Sequence, residues 1–260
     1  MARLVLVHGA FNELWGPHEL KARWLPCVQD GLWHHGRAID ADDVAVCFYG
    51  DLFRLDPETL DVAEWEEHRA GAADLLAQFG GREALDFLSQ AAGTAAYDRT
   101  IDMVTIMANN PDVRSRARQR LLDLIAPDTS VVVGHSMGSI VAHQALAAHP
   151  EVEIDTLVTI GSPLGTDTVF GSLEPAAEGP LGPWPGGVRR WVNIAAHGDQ
   201  AAGVHQLAPK FGDRVEDHLI DNGHRAHDPE PYLNSAVTGA AIAARSATRS
   251  ASRVKNYGST

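Results

Sequence analysis

Cysteine is almost missing from this chain of 260 residues: Cys27 and Cys47 are the whole supply, with no C-x-x-C spacing and no paired histidines beside them. Neither a disulfide framework nor a zinc site is expected from so few, and no other metal-ligand cluster stands out; both thiols read as ordinary buried ones. Long apolar runs are missing as well. No stretch approaches the ~20 residues that a membrane span needs, and the opening Met1 to Gly9 carries only a short apolar run with no small-residue cleavage site. The expectation is a cytoplasmic protein with no membrane span. Basic residues are in deficit, 21 against 34 acidic ones, and a formal charge of −13 repels phosphate backbones and anionic lipid surfaces. Nucleic acid is therefore not an expected partner, and the ordinary meaning of such acidity is solubility. Internal repeats are absent. A homo-oligomer is compatible with all of this, and nothing in the sequence demands one.

What is present is a rhythm of short β-branched runs separated by longer helical stretches, the pattern of a mostly parallel sheet flanked by crossover helices. Strands are expected over 3–7, 44–49, 130–133, 156–160, 189–194 and 215–220. Helices are expected at about 18–35, 58–79, 82–126, 137–149, 200–209 and 230–245, with a break in the long third one at Asn109-Asn110-Pro111. Length and composition suit one α/β domain over 1–246. Within it, 161–187 is so dense in proline and glycine that regular structure is not expected; it is a lid-like excursion or a plain surface loop. The Ser-, Arg- and Gly-rich tail over 247–260 is expected to be disordered.

The strongest chemical signal is Gly134-His135-Ser136-Met137-Gly138, after Val131-Val132-Val133 and before the helical Ser139 to Leu146. This is G-x-S-x-G in strand-turn-helix context. A serine exposed on so sharp a turn is held in strained backbone geometry, and side chains two positions either side would collide across it. The turn also puts Ser136 at a helix N-terminus, where free N–H groups and the dipole favour a developing oxyanion. Ser136 is the expected nucleophile.

With this elbow the sequence resembles the α/β-hydrolase superfamily, lipase- and esterase-like serine hydrolases, over most of 3–245. Leu4-Val5-Leu6-Val7-His8-Gly9-Ala10-Phe11 is similar to the strand and H-G-x loop of that superfamily. The resemblance implies an oxyanion hole from the Ala10 and Met137 amides, with Phe11 as the substitute donor. Trp191 to Asp199 looks like the strand and loop that carry the triad acid, which makes Asp199 the expected acid and Asp221 its rival. Asp221-Asn222-Gly223-His224-Arg225-Ala226-His227-Asp228, ahead of the last helix, is similar to the histidine loop of lipase-like members; His227 is the expected base and His224 the alternative. The order Ser136, Asp199, His227 is the superfamily's order. Gly161-Ser162-Pro163 resembles a segment of lipases and related deacylases. Segments near 16–26 and 48–54 resemble bacterial hydrolases sometimes labelled serine peptidases.

The front departs from the family, since the chain starts at the strand bearing the oxyanion loop. Phe11, Trp15, His135 and Phe53 are the residues that could line an acyl pocket, whereas Tyr49-Gly50-Asp51 reads as a strand-end turn. The implied activity is cleavage of an ester or related acyl bond in a small-molecule substrate through an acyl-enzyme, with no cofactor because the chain supplies every group. Acyl transfer or cyclisation, amide cleavage, and a non-catalytic binding domain on the same fold stay open as alternatives.

Overall fold

The structure is a computed structural model that describes residues 3–10, 12–54, 61–71, 102–103, 105–107, 109–177 and 179–244. Phe11, residues 55–60 and 72–101, and the tail from 245 onward lie outside the described residues, and with them parts of the helices expected over 58–79 and 82–126. The valine- and leucine-rich runs form six strands: β1 (Leu4–Val7), β2 (Val44–Cys47), β3 (Val131–His135), β4 (Ile154–Ile160), β5 (Val188–Ala196) and β6 (Val215–Ile220). They lie in one sheet of order β2-β1-β3-β4-β5-β6, and every pair is parallel.

Both faces of this sheet are buried, which is why its central strands read as unbroken apolar runs instead of alternating ones. The pleat divides those runs between two cores. Val5, Val7 and Val132 point to one face, against α2 (Pro111–Leu124) and α3 (Met137–Ala148). Leu4, Leu6, Val131 and Val133 point to the other, against α1 (Pro17–Trp33) and the C-terminal helices. The chain leaves β1 for β2 in one direction and then returns to the other side of β1 for β3. The crevice at the carboxyl ends of β1 and β3 is therefore the switch point where open α/β sheets place their sites.

The Asn-Pro break is as expected: Asn110 caps α2, its side chain accepting from the Val113 N–H at 3.1 Å, and Pro111 takes the first helical position. Residues 62–71 are helical too. Two expectations need correction. The helix expected over 200–209 is instead a run of turns leading into the short α5 (Ala208–Phe211), because Gly203 adopts a left-handed conformation that interrupts any helix. The last helix is split into α6 (Pro229–Leu233) and α7 (Ala236–Ala243), since Ser235 turns extended and caps α7 through the Thr238 N–H.

The 161–187 excursion is better ordered than its composition suggests. It contains a short helix, α4 (Asp167–Gly171), and Leu164, Val169 and Leu173 are buried in the same core as β1 and β3. Polar anchors hold it at several points. Arg118 and Arg114 of α2 donate to Glu174 at 2.6 and 3.3 Å. The buried His143 of α3 donates from Nε2 to the Pro183 carbonyl at 2.9 Å, and the Gly182 N–H donates to Lys210.

Candidate active site

Ser136 follows β3 directly, and its backbone is in a conformation that non-glycine residues rarely adopt, φ 52° and ψ −126°. Its N–H donates to the Ile160 carbonyl of β4 at 3.0 Å, so the sheet holds the turn while α3 begins at the next residue. The crowding is severe. A Cβ at Gly138 would lie 2.4 Å from the Val7 and His8 carbonyl oxygens, so only glycine lets the helix start this close to β1.

Two loops from other strand ends converge on this serine. His227 Nε2 lies 3.0 Å from Ser136 Oγ, and His227 Nδ1 lies 2.9 and 3.0 Å from the two oxygens of Asp199. With Nδ1–H donating to the carboxylate, Nε2 is the acceptor that faces the serine hydroxyl. His224 sits on an exposed turn (Gly223–Arg225) and Asp221 accepts from the Gly223 N–H, also exposed, so neither joins the cluster. Asp199 is 1 % exposed, an uncommon place for a carboxylate unless it is paired and hydrogen-bonded. It is both: besides His227, Tyr232 Oη donates to Oδ2 at 2.6 Å and the Ala202 N–H to Oδ1 at 3.1 Å. Burial works to raise its pKa, but the charge and hydrogen bond of His227 and the Tyr232 and Ala202 donors outweigh it and hold the carboxyl below the usual range. Gly161, at the end of β4, has φ 54°, and a Cβ there would stand 2.9 Å from Asp199 Oδ2 and 3.2 Å from His227 Nδ1. A side chain at this position would displace the pair.

The loop after β1 lies against the same serine. A Cβ at Gly9 would come within 2.7 Å of Ser136 Cβ. Asn12 Nδ2 donates to both the Gly9 and Ala10 carbonyls, at 3.1 and 2.9 Å, and so fixes the loop's carbonyls. Among the described residues the Ala10 and Met137 N–H groups have no acceptor, as expected for a first-turn helix amide in the case of Met137. His8 anchors the loop from beneath. It is fully buried, stacks on Tyr49 at 4.1 Å, donates from Nδ1 to the Gly9 carbonyl and accepts the Tyr49 N–H at Nε2. Tyr49 Oη donates to the His8 carbonyl at 2.5 Å. Burial pushes His8 down to about 4 despite the opposing Gly9 hydrogen bond and the Asp51 charge, so it is neutral at pH 7.

His135 and Phe53 do not line an open pocket. Phe53 is 1 % exposed in the core beside Tyr49. His135, also buried, donates from Nε2 to the His227 carbonyl at 2.8 Å, and burial together with the neighbouring His227 pushes it down to about 3. His135 points into packed interior as the last residue of β3, whose side chains alternate faces, and Phe53 does so from the 3-10 turn Gly50–Phe53 that follows β2. Trp15 is partly exposed, with the Arg23 guanidinium 4.4 Å over its ring. The sequence assigns no role to Asn12 or Tyr232, although Tyr232 stands in the H-D-x-x-x-Y-L run that begins at His227. Only Tyr232 had a signal, an aromatic five residues after His227 and just inside a helix.

The PGAP1-like alpha/beta domain family matches residues 84–171, a span that includes the elbow and the start of the excursion. No curated protein matches the chain significantly. Among solved structures, the crystal structure of the esterase domain of a Rhodothermus marinus protein is similar at 17% identity and a TM-score of 0.36, over 92% of this chain and 84% of that one. The family match runs through the elbow, and the parallel sheet order with a strained serine turn at its switch point is similar to that of the α/β-hydrolase superfamily.

Proposed function

We propose that this protein is a serine hydrolase that cleaves an ester or related acyl bond through Ser136, His227 and Asp199. The observation that carries the reading is the continuous chain of hydrogen bonds from Asp199 to His227 Nδ1 and from Nε2 to Ser136 Oγ, on a serine held at positive φ. His227 Nε2 takes the Oγ proton as Oγ attacks the carbonyl carbon. The Ala10 and Met137 N–H groups, which have no acceptor among the described residues, then donate to the resulting oxyanion. Collapse of the tetrahedral species breaks the bond to the leaving alcohol, which receives the proton from His227. Water, deprotonated by the same nitrogen, then attacks the acyl-enzyme, and the acid leaves as Ser136 regains its proton. Asp199 stays ionised throughout and stabilises the imidazolium.

In this reading the 161–187 excursion is a wall of the site and not a moving gate, because its buried leucines and valine and its anchors to α2 and α3 would have to be broken for it to open. The substrate is a small acyl compound. Labelling with a fluorophosphonate probe, followed by mass-spectrometric mapping of the modified residue, tests the proposal. Label on Ser136 that disappears in Ser136→Ala is the expected result; a folded protein that takes no label, or takes it elsewhere, overturns the reading.

A further inference from the structure

Resting on that reading, we infer that Tyr232 is a positioning residue of the site: its phenol holds Asp199 in the one orientation that aims His227 at Ser136. The carboxylate is inaccessible to water, so its four acceptor positions can be filled only by protein donors. Three donors reach it. The Ala202 N–H takes Oδ1, Tyr232 Oη takes Oδ2, and His227 Nδ1 lies almost equidistant from both. A carboxyl group swings about its last bond unless each oxygen is fixed. Here one oxygen is fixed by the backbone of its own loop, and the other by a side chain from α6. Tyr232 is itself immobile: it is 0 % exposed, packed with β4 and β5 residues in the core, and its ring edge closes on Gly161. Burial and the adjacent Asp199 charge push its own ionisation well above the ordinary phenol range, so it is a donor at every pH at which the protein is folded.

The groups around Asp199 from every side are His227, Tyr232, the Ala202 N–H and, behind His227, the neutral His135; no other charged side chain is in contact with the carboxylate among the described residues. Removing the phenol therefore has a predictable sign. Its hydrogen bond favours the ionised carboxylate, so without it Asp199 binds a proton more readily, and activity fails at a higher pH on acidification. A tyrosine that acted only by packing would leave that limb unmoved when replaced by phenylalanine.

The test follows the rate of fluorophosphonate labelling of Ser136 between pH 3 and 9 in wild type, Tyr232→Phe, Asp199→Asn and the double variant. We expect Y232F to label about tenfold or more slowly at pH 7, as when one donor is taken from a buried charge, with its acid limb displaced to higher pH. In the Asp199→Asn background the same change should cost far less, because the two residues act as a unit. Incorporation of 3-fluorotyrosine at position 232 strengthens the donor without removing the ring, and should move the limb to lower pH even if Y232F does not fold. An unchanged limb in both replacements, or equal losses in the two backgrounds, overturns the role of Tyr232 while leaving Ser136 labelled. Absence of label in wild type instead overturns the serine-hydrolase reading itself.

Discussion

At the scale of single residues, the site depends on which of several similar side chains reaches which partner. His224 and His227 are three residues apart in one loop, yet only the second touches Ser136 and Asp199, because the turn at Gly223–Arg225 leaves His224 in solvent. His227→Ala should therefore slow ester turnover or probe labelling on the order of a thousandfold or more, whereas His224→Ala should change either little. Parallel rate measurements on the two variants check this, and the reverse ranking would move the base to His224. The same scale explains the position of His135. Adjacent to the nucleophile in sequence, it faces the opposite side of the strand and holds the His227 backbone instead of a substrate.

At the scale of elements, the site is a set of strand ends and the loops that leave them. β1 brings His8 to Ala10, β3 brings Ser136, β4 brings Gly161, β5 brings Asp199, and the segment after β6 brings His227. Their separation depends on how the helices and the excursion pack against the sheet, and Trp191 of β5 is the hub of that packing. Fully buried, it lies 5.1 Å from the His143 ring, 5.8 Å from Trp184 and 4.9 Å from Phe211, and its Nε1–H donates to Thr159 Oγ1. It thereby joins α3, the excursion and α5. Trp191→Ala should cost about 3–5 kcal/mol of folding stability through the cavity it leaves. Chemical denaturation checks this, and a loss under about 1 kcal/mol would mean that the neighbouring rings collapse into the space.

At the scale of the whole molecule, three buried neutral histidines set the response to acid. Burial, reinforced at His135 by the neighbouring His227, pushes His8 to about 4, His135 to about 3 and His143 to about 4, all below the ordinary imidazole value of 6.5. In the unfolded chain they take up protons near that ordinary value; in the folded chain they do not. The unfolded state therefore binds more protons below about pH 6.5, and each histidine withdraws stability at up to about 1.4 kcal/mol per pH unit as the pH falls toward 4. Stability is fully present above that window. We expect urea midpoints to drop steeply between pH 7 and 5, and His143→Gln, which keeps a donor for Pro183, to flatten the slope by about one proton. A slope unchanged in that variant would refute the assignment of His143 to this effect.

Much of this architecture is legible in the sequence, for reasons that are local. Strands buried on both faces must be continuous apolar runs, and β1, β3 and β5 are found within a few residues of where those runs predict. Asn110-Pro111 can only start a helix, and glycines two positions either side of Ser136 are demanded by a turn whose backbone has no room for Cβ atoms. The candidate nucleophile and its two partners could be named because each sits beside such a local signal. Composition misled where contacts at a distance decide: 161–187 looked structureless by its prolines and glycines, yet salt bridges to α2 and a histidine from α3 tie it down. The sequence by itself determined the periodicities, the turns and the order of the chemical groups along the chain, because those follow from backbone sterics within a few residues. Only the tertiary structure decided which histidine faces the serine, that Asn12 holds the loop after β1, and that Tyr232 completes the shell of Asp199, because each is a meeting of side chains brought together by the packing of separate strand ends.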